Sequence, residues 1–139
     1  MLVREIMTRD VCVASPDDNL KHAAAAMERD NLGILPVREN DRLVGMLTDR
    51  DITVRAVARG LSPEQCTVRE IMSKVVKFVH DEATVEDAAR LMSQSQVRRL
   101  PVLDRNQGLV GIISLADVAI NDPKPAGVAL TSISQPKAP

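Results

Sequence analysis

An internal duplication constrains this chain more than any other feature of its sequence. The segment Val3-Arg4-Glu5-Ile6-Met7 recurs letter for letter as Val68-Arg69-Glu70-Ile71-Met72, sixty-five positions later. One residue inserted near Gly108 then changes the offset to sixty-six. The other matching pairs are Leu35-Pro36-Val37 with Leu100-Pro101-Val102, Leu43-Val44-Gly45 with Leu109-Val110-Gly111, and Thr48-x-x-Asp51 with Ser114-x-x-Asp117.

Two repeats this short must bury their apolar surfaces against each other. A chain of 139 residues corresponds to one globular module, and each half alone exposes too much surface for its volume. We therefore expect the halves to pack face to face and to form two related clefts. That geometry favours a sensor or a binding module.

Each repeat has the pattern strand, helix, strand, strand, helix, which predicts a mixed α+β fold. Asn19 and Thr84 stand where helix N-caps are expected, and polar turns at 39–42 and 104–108 separate the paired strands. The predicted strands are 11–14, 34–37 and 43–47 in the first repeat, and 75–79, 100–103 and 109–113 in the second. The predicted closing helices are 49–59, ended by Gly60, and 115–121.

The repeats also set the expected boundaries. The first repeat with its linker spans residues 1–66, and the second spans residues 67–121. Residues 122–139 contain four prolines and show no clear periodicity, so we expect a flexible tail outside the module.

Composition excludes several classes of protein. A net charge of −1 offers no basic footprint for duplex DNA or an anionic membrane, and 1% aromatic residues leaves little for stacking single-stranded bases. No apolar run reaches the ~20 residues of a membrane helix, and the N-terminus lacks a signal-peptide pattern. Cys12, expected in a buried strand, and Cys66, expected as an exposed linker thiol, form no disulfide framework. We expect a cytoplasmic protein that binds neither membranes nor nucleic acid.

The pattern Gly-x-x-Thr/Ser-x-x-Asp, present twice, carries the clearest chemistry. In each copy a hydroxyl residue, Thr48 or Ser114, stands at a predicted helix start, where free N–H groups and the helix dipole suit a phosphate. Asp51 and Asp117, one turn later, can accept the hydroxyls of a ribose. The alternative is a capping box, in which the acid bonds back to its own helix start. Duplication at corresponding places favours a site.

These motifs, in this order and twice, resemble a tandem pair of cystathionine-β-synthase (CBS) domains, a Bateman module. The resemblance covers roughly residues 2–121. The sequence Gly45-Met46-Leu47-Thr48-Asp49-Arg50-Asp51 is similar to that of stand-alone bacterial CBS-pair proteins, including some induced under stress or hypoxia. The resemblance implies two βαββα units packed with pseudo-twofold symmetry around two clefts.

The family also implies a ligand class, because its members commonly bind AMP, ADP, ATP, NAD or S-adenosylmethionine. By resemblance, Asp51 and Asp117 hold the ribose, and Thr48 and Ser114 contact ribose or phosphate. The other residues that the resemblance assigns to the clefts are Gly33 and Ile34, Arg98 and Arg99, and Thr8 and Ser73.

The two clefts are expected to differ. Arg98 and Arg99 stand where the first repeat has Gly33 and Ile34, and guanidinium groups present forked donors that suit phosphate. The alternative is that both arginines are ordinary solvated surface residues.

We therefore expect a non-enzymatic regulatory module that senses adenine nucleotides, with no catalytic cofactor. The alternative is a protein-interaction module whose clefts stay empty. A small nucleotide-processing enzyme is disfavoured, because no nucleophile, base and acid form a set and no residues show metal-ligand spacing. Partners are expected to be a second copy of the chain, in a symmetric homodimer through helices of both repeats, and an unidentified protein target.

Overall fold

The computed structural model describes residues 1–74 and 76–136. Its helices and strands, in chain order, are α1 (Val3–Ile6), α2 (Leu20–Asp30), β1 (Ile34–Glu39), β2 (Arg42–Thr48), α3 (Asp49–Asp51) continued by a π-helix (Ile52–Val57), α4 (Val68–Ile71), β3 (Val79–His80), α5 (Val85–Ser95), β4 (Arg99–Leu103), β5 (Leu109–Ser114), α6 (Leu115–Asn121) and α7 (Pro123–Ile133). The predicted α+β class is confirmed.

These elements form two compact units, each with its own core. The central unit is Cys12–Val76, and the terminal unit combines Met1–Val11 with Lys77–Pro139. The units do not coincide with the repeats predicted at 1–66 and 67–121, because residues 1–11 group with the second repeat and residues 68–72 group with the first. Each Val-Arg-Glu-Ile-Met segment belongs to the core of the other repeat.

Backbone hydrogen bonds explain this exchange. In the terminal unit, the amide of Val3 donates to the carbonyl of Ala83 at 2.9 Å. In the central unit, the amide of Val68 donates to the carbonyl of Asp18 at 2.8 Å. Val3 and Val68 are fully buried. The short helix α1 is therefore joined to the start of α5, and α4 to the start of α2, so each short helix stabilises the long helix of the other repeat.

The central unit is built on an antiparallel hairpin of β1 and β2, with register from Ile34 opposite Thr48 to Glu39 opposite Arg42. Asn40 and Asp41 both have positive φ, as a tight two-residue hairpin turn requires. The strand predicted at 11–14 is reduced to one parallel bridge between Ala14 and Val37.

The terminal unit carries a three-stranded sheet in the order β3, β4, β5. β3 is parallel to β4 and pairs Val79 with Val102, while β4 and β5 are antiparallel. The strand predicted at 75–79 is thus shorter than expected, and Val75 lies outside the described residues. α6 has the bounds that the sequence predicts.

The expectation of a flexible tail at 122–139 is wrong for residues 123–133, which form α7. Pro123 occupies the first helical position, where the missing N–H has no cost. Ala126 and Ala129 are buried in the core of the terminal unit, and their small side chains let α7 approach α5 and α6 closely. Residues 137–139 lie outside the described residues.

The two cysteines are placed contrary to expectation. Cys66 is buried in the core of the central unit, because the linker containing it packs beneath α2, whose Leu20 amide donates to the Cys66 carbonyl at 3.0 Å. Burial raises the pKa of the Cys66 thiol. Cys12 is partly exposed.

Candidate functional site

Both Gly-x-x-Thr/Ser-x-x-Asp motifs form reciprocal capping boxes. The Asp51 amide donates to Thr48 Oγ1 at 3.0 Å, and the Thr48 amide donates to Asp51 Oδ2 at 2.9 Å. Ser114 and Asp117 repeat the arrangement with the same two distances. The capping interpretation therefore describes the geometry of both copies.

These side chains can form further hydrogen bonds while they cap their helices. Each carboxylate receives its cap hydrogen bond on Oδ2, and a carboxylate has about four lone-pair positions on two oxygens. The Thr48 and Ser114 hydroxyls accept in the cap and keep their own hydrogen for donation. The geometry thus leaves acceptors and a donor at each helix start while the cap stays intact.

The register places the predicted cleft residues beside these motifs. Ile34 pairs with Thr48, and Arg99 pairs with Ser114. The residue before each strand also contacts the first residue of the helix. The Asp49 amide donates to the Gly33 carbonyl at 3.0 Å, and the Leu115 amide donates to the Arg98 carbonyl at 2.8 Å. Residues 33–34 and 98–99 therefore flank the start of their helix.

Thr8 and Ser73 join the motif of the repeat to which they do not belong in sequence. Thr8 and Ile112 exchange backbone hydrogen bonds of 2.8 and 2.9 Å, two residues before Ser114. Ser73 and Met46 exchange bonds of 2.9 and 3.0 Å in the central unit. The predicted site residues thus form one group in each unit: Gly33, Ile34, Thr48, Asp51 and Ser73 in the central unit, and Thr8, Arg98, Arg99, Ser114 and Asp117 in the terminal unit.

The glycine of each motif makes this pairing possible. A β-carbon at Gly111 would lie 2.8 Å from both the Thr8 carbonyl oxygen and the Met7 sulfur. At Gly45 it would lie 2.8 Å from the Ser73 carbonyl oxygen. Glycine inside a strand commonly marks such a close backbone approach, so this signal, present twice, indicates that another segment lies close at Gly45 and Gly111 but not which segment it is.

A cavity of about 360 Å³ opens beside the motif of the terminal unit. Its polar lining is Arg98, Arg99 and Ser114, which brings three of the predicted residues together. Thr8 and Asp117 are not on this lining; they adjoin it through Ile112 and the Ser114 cap. The remaining lining is apolar and consists of Leu115, Ala116, Ala119 and Leu130.

None of these four apolar residues was predicted as a site residue, and Leu130 also lies in the segment expected to be a tail. A signal was present. Ala126, Ala129, Leu130 and Ile133 follow the i, i+3, i+4, i+7 spacing of an amphipathic helix, and two of the four prolines that suggested a tail stand in its first turn.

The corresponding region of the central unit has different electrostatics. Asp49 occupies the place of Leu115, and its Oδ1 accepts a hydrogen bond from the Arg50 amide at 2.8 Å. Its carboxylate lies against Gly33, since Oδ2 is 3.2 Å from the position that a β-carbon on Gly33 would take. Where the terminal unit has two arginines beside its motif, the central unit has the carboxylate of Asp49 at the place of Leu115 and a single arginine, Arg50, at the place of Ala116.

The carboxylates of the two motifs also differ in their neighbours. Arg55 Nε lies 3.8 Å from Asp51 Oδ1, and the Arg55 guanidinium also donates to the Ile71 carbonyl at 3.1 Å. The matching residue of the second repeat is Asn121, whose amide bonds to the backbone carbonyl of Asp117 at 2.8 Å. An intramolecular cation therefore accompanies Asp51 where an uncharged amide accompanies Asp117.

Residues 1–74 and 76–136 contain neither a metal-binding group of side chains nor a membrane-spanning helix. No group of three or more His, Cys, Asp or Glu side chains is arranged there to hold a metal ion. Within the same ranges, none of the helices has both the length and the apolar character needed to cross a bilayer.

Comparison with known proteins gives a consistent family match. The model of the CBS domain matches twice, at residues 3–57 and 68–121. The CBS domain-containing protein YhcV of Bacillus subtilis is 44% identical over 134 residues, covering 95% of this chain and 94% of YhcV. The crystal structure of Hypoxic Response Protein I with two coordinated zinc ions superposes with a TM-score of 0.79 at 36% identity, covering 86% of this chain and 98% of that one.

Two further structural neighbours contain ligands. The CBS domain pair of protein MJ0100, in complex with 5′-methylthioadenosine and S-adenosyl-L-methionine, has a TM-score of 0.75 at 28% identity and covers 87% of this chain and 98% of that one. CBSX2 in complex with AMP has a TM-score of 0.75 at 26% identity, with 88% and 96% covered.

Proposed function

The chain belongs to the CBS-domain family, and from this premise we propose that it is a non-enzymatic regulatory module that binds adenosine-containing ligands beside each Gly-x-x-Thr/Ser-x-x-Asp motif. The observation that carries the proposal is the cavity of the terminal unit, in which Arg98, Arg99 and Ser114 converge. A site with charged and hydroxyl groups at one end and aliphatic groups at the other suits a phosphorylated nucleoside. The ligands present in MJ0100 and CBSX2 support this class.

Each side chain has a distinct role in this proposal. The guanidinium groups of Arg98 and Arg99 bind phosphate through charge-assisted hydrogen bonds. Asp117 accepts from the ribose hydroxyls with the oxygen that its cap does not use, and Ser114 donates its hydroxyl hydrogen. Asp51 and Thr48 repeat these roles in the central unit. Thr8 adjoins the site of the terminal unit through Ile112, and Ser73 adjoins that of the central unit through Met46.

The regulatory output is a shift between conformations. A ligand that binds one arrangement better than another shifts the population toward it by its difference in binding free energy. We propose that the module passes this shift to a second copy of itself, in a symmetric homodimer, and to a protein target. Both cysteines are free thiols, which supports the reducing cytoplasm as its compartment.

One observation favours a second candidate, a protein-interaction module with empty clefts. Both hydroxyl–carboxylate pairs are already engaged in capping boxes, as that candidate requires. A thermal-shift panel of AMP, ADP, ATP, NAD and S-adenosylmethionine separates the two. A ligand at free concentration L that binds the native state stabilises it by RT ln(1 + L/Kd), so the melting temperature rises with ligand concentration, whereas empty clefts leave it unchanged with every ligand.

The variant Asp117→Asn tests the ribose contact. We expect it to weaken AMP binding by about 1.5–3 kcal/mol, the range for a hydrogen bond to a charged group, as measured by calorimetry. Asp87→Asn is the matched control, since Asp87 lies at the start of α5, where its amide donates to the Thr84 cap. Unchanged AMP affinity in Asp117→Asn, together with a lower melting temperature, would leave only the capping role.

A further inference from the structure

We infer that Leu130 of α7 is a ligand-contacting residue of the terminal unit, which supplies the apolar surface against the base of a bound nucleoside phosphate. The inference rests on the proposed function and adds to it a residue beyond the segments that match the family, which end at residue 121. Leu130 lines the same cavity as Arg98, Arg99 and Ser114.

The position of Leu130 is held by its neighbours on α7. Ala126 and Ala129 are 4% and 1% exposed, and the Ser132 hydroxyl donates to the Ser93 carbonyl on α5 at 3.4 Å. These contacts fix the rotation of α7 about its axis. Leu130 itself is 46% exposed, so its side chain keeps apolar surface that a ligand can cover.

The cavity separates two kinds of chemistry. Arg98 and Arg99 supply positive charge, and Leu115 and Leu130 supply aliphatic surface. No aromatic side chain lies on this lining to stack on a purine, so the ring must be held by aliphatic groups. A purine nucleoside monophosphate satisfies both parts, with its phosphate at the arginines and its base at Leu130.

Calorimetric titrations with AMP and with adenosine separate these contacts. Because removal of part of a buried leucine contact costs about 1–1.4 kcal/mol, Leu130→Ala should weaken AMP and adenosine by the same factor, about fivefold to tenfold. The double variant Arg98→Ala/Arg99→Ala should weaken AMP and leave adenosine little changed. Val128→Ala is the matched control, because Val128 is 67% exposed on the same helix and is not on this lining.

The outcomes are distinguishable. Absence of AMP binding to the unmodified protein overturns the proposed function and this inference with it. Normal AMP binding that Leu130→Ala leaves unchanged overturns the inference alone. A loss for AMP without a loss for adenosine also overturns it, because the effect would then act through the arginines, and so does an equal loss in Val128→Ala. A melting curve matching that of Val128→Ala verifies that Leu130→Ala is folded.

Discussion

At the scale of single residues, the aspartates of the two motifs cap a helix, and in the proposed function the same carboxylates also bind ribose. The Asp117 carboxylate closes a helix cap with Oδ2, and the cap fixes its orientation before any ligand arrives. A pre-oriented acceptor loses less conformational freedom on binding. Capping therefore favours the proposed ribose contact and does not compete with it.

Glu70 gives a prediction for the dependence of stability on pH. Its Oε2 accepts from the Thr67 amide at 2.6 Å and from the Thr67 hydroxyl at 3.1 Å, and these hydrogen bonds hold the pKa of the Glu70 carboxyl below its ordinary value of 4.5. A lowered folded-state pKa stabilises the native state above pH 4.5, and this contribution is lost as the pH falls through the folded-state pKa. We expect Glu70→Gln to lose less stability on acidification.

The measurement is the free energy of unfolding in urea from about pH 7 to about pH 3. Glu28→Gln serves as the control, because Glu28 is exposed on α2 and the substitution removes one carboxylate of the same type. Parallel pH profiles for the unmodified protein and Glu70→Gln would show that the α4 capping box contributes nothing to acid sensitivity.

At the scale of elements, two glycines should respond to alanine with opposite signs. A β-carbon at Gly127, within α7, meets nothing within 4 Å, and alanine in a helix interior is favoured over glycine by about 0.5–1 kcal/mol. Gly60 ends the helical segment with φ of +72°, where alanine costs about 1 kcal/mol. We expect Gly127→Ala to raise the melting temperature and Gly60→Ala to lower it.

The pair also tests whether α7 forms in solution. In a disordered tail, Gly127→Ala would leave the melting temperature unchanged, and truncation after Asp122 would be neutral. With α7 packed, truncation exposes the surface that Ala126 and Ala129 cover in the terminal unit and lowers the melting temperature.

Elements with strong local signals could be predicted from the sequence, and those that depend on distant partners could not. The caps at Asn19 and Thr84 and the hairpin turn at Asn40 are encoded within a few residues, and the structure confirms them. The docking of Val3 onto Ala83 involves residues eighty positions apart, beyond the reach of periodicity. α7 was missed because prolines dominated its first turn and concealed the apolar spacing.

The same distinction applies to the candidate site. The turn motifs and residues 33–34 and 98–99 could be found because the duplication marks them and strand pairing joins them within one repeat. The partner of Thr8 could not be deduced, because alignment of the two repeats does not show whether Thr8 pairs with the strand of its own repeat or with that of the other repeat. Leu130 has no counterpart in the first repeat, so comparison of the repeats could not find it.

At the scale of the whole molecule, the two units should bind phosphate-bearing ligands unequally. Arg98 and Arg99 stand beside the motif of the terminal unit, and Asp49 stands beside that of the central unit. Exposed ion pairs contribute about 0.2–1 kcal/mol each, so the two arginines should favour AMP over adenosine by about twofold to thirtyfold at low salt.

Salt dependence provides the measurement. Ions screen exposed charges, so AMP affinity should fall with ionic strength while adenosine affinity changes little. Arg98→Ala/Arg99→Ala should flatten the AMP dependence and remove most of the preference. Arg105→Ala is the control, because Arg105 is an exposed arginine of the same unit paired with Glu82 at 2.9 Å. A double variant that keeps both the salt slope and the AMP preference would show that these arginines do not bind the phosphate.

The helices of both units leave apolar side chains uncovered, and this predicts assembly. Ile120 of α6 is 82% exposed, and Val57 of the π-helix is 65% exposed. Apolar surface left exposed on a helix commonly marks an interface, and the commonest closed assembly of identical chains is a symmetric dimer. We expect sedimentation at micromolar concentration to give twice the 15.2 kDa mass of the chain.

A charge at Ile120 tests this prediction. Because a carboxylate in an apolar interface loses its hydration, Ile120→Asp should shift the population to monomer. Leu32→Asp, which adds the same charge after α2, should not. A monomeric unmodified protein would contradict the dimer, and the regulatory output would then have to pass directly to another protein.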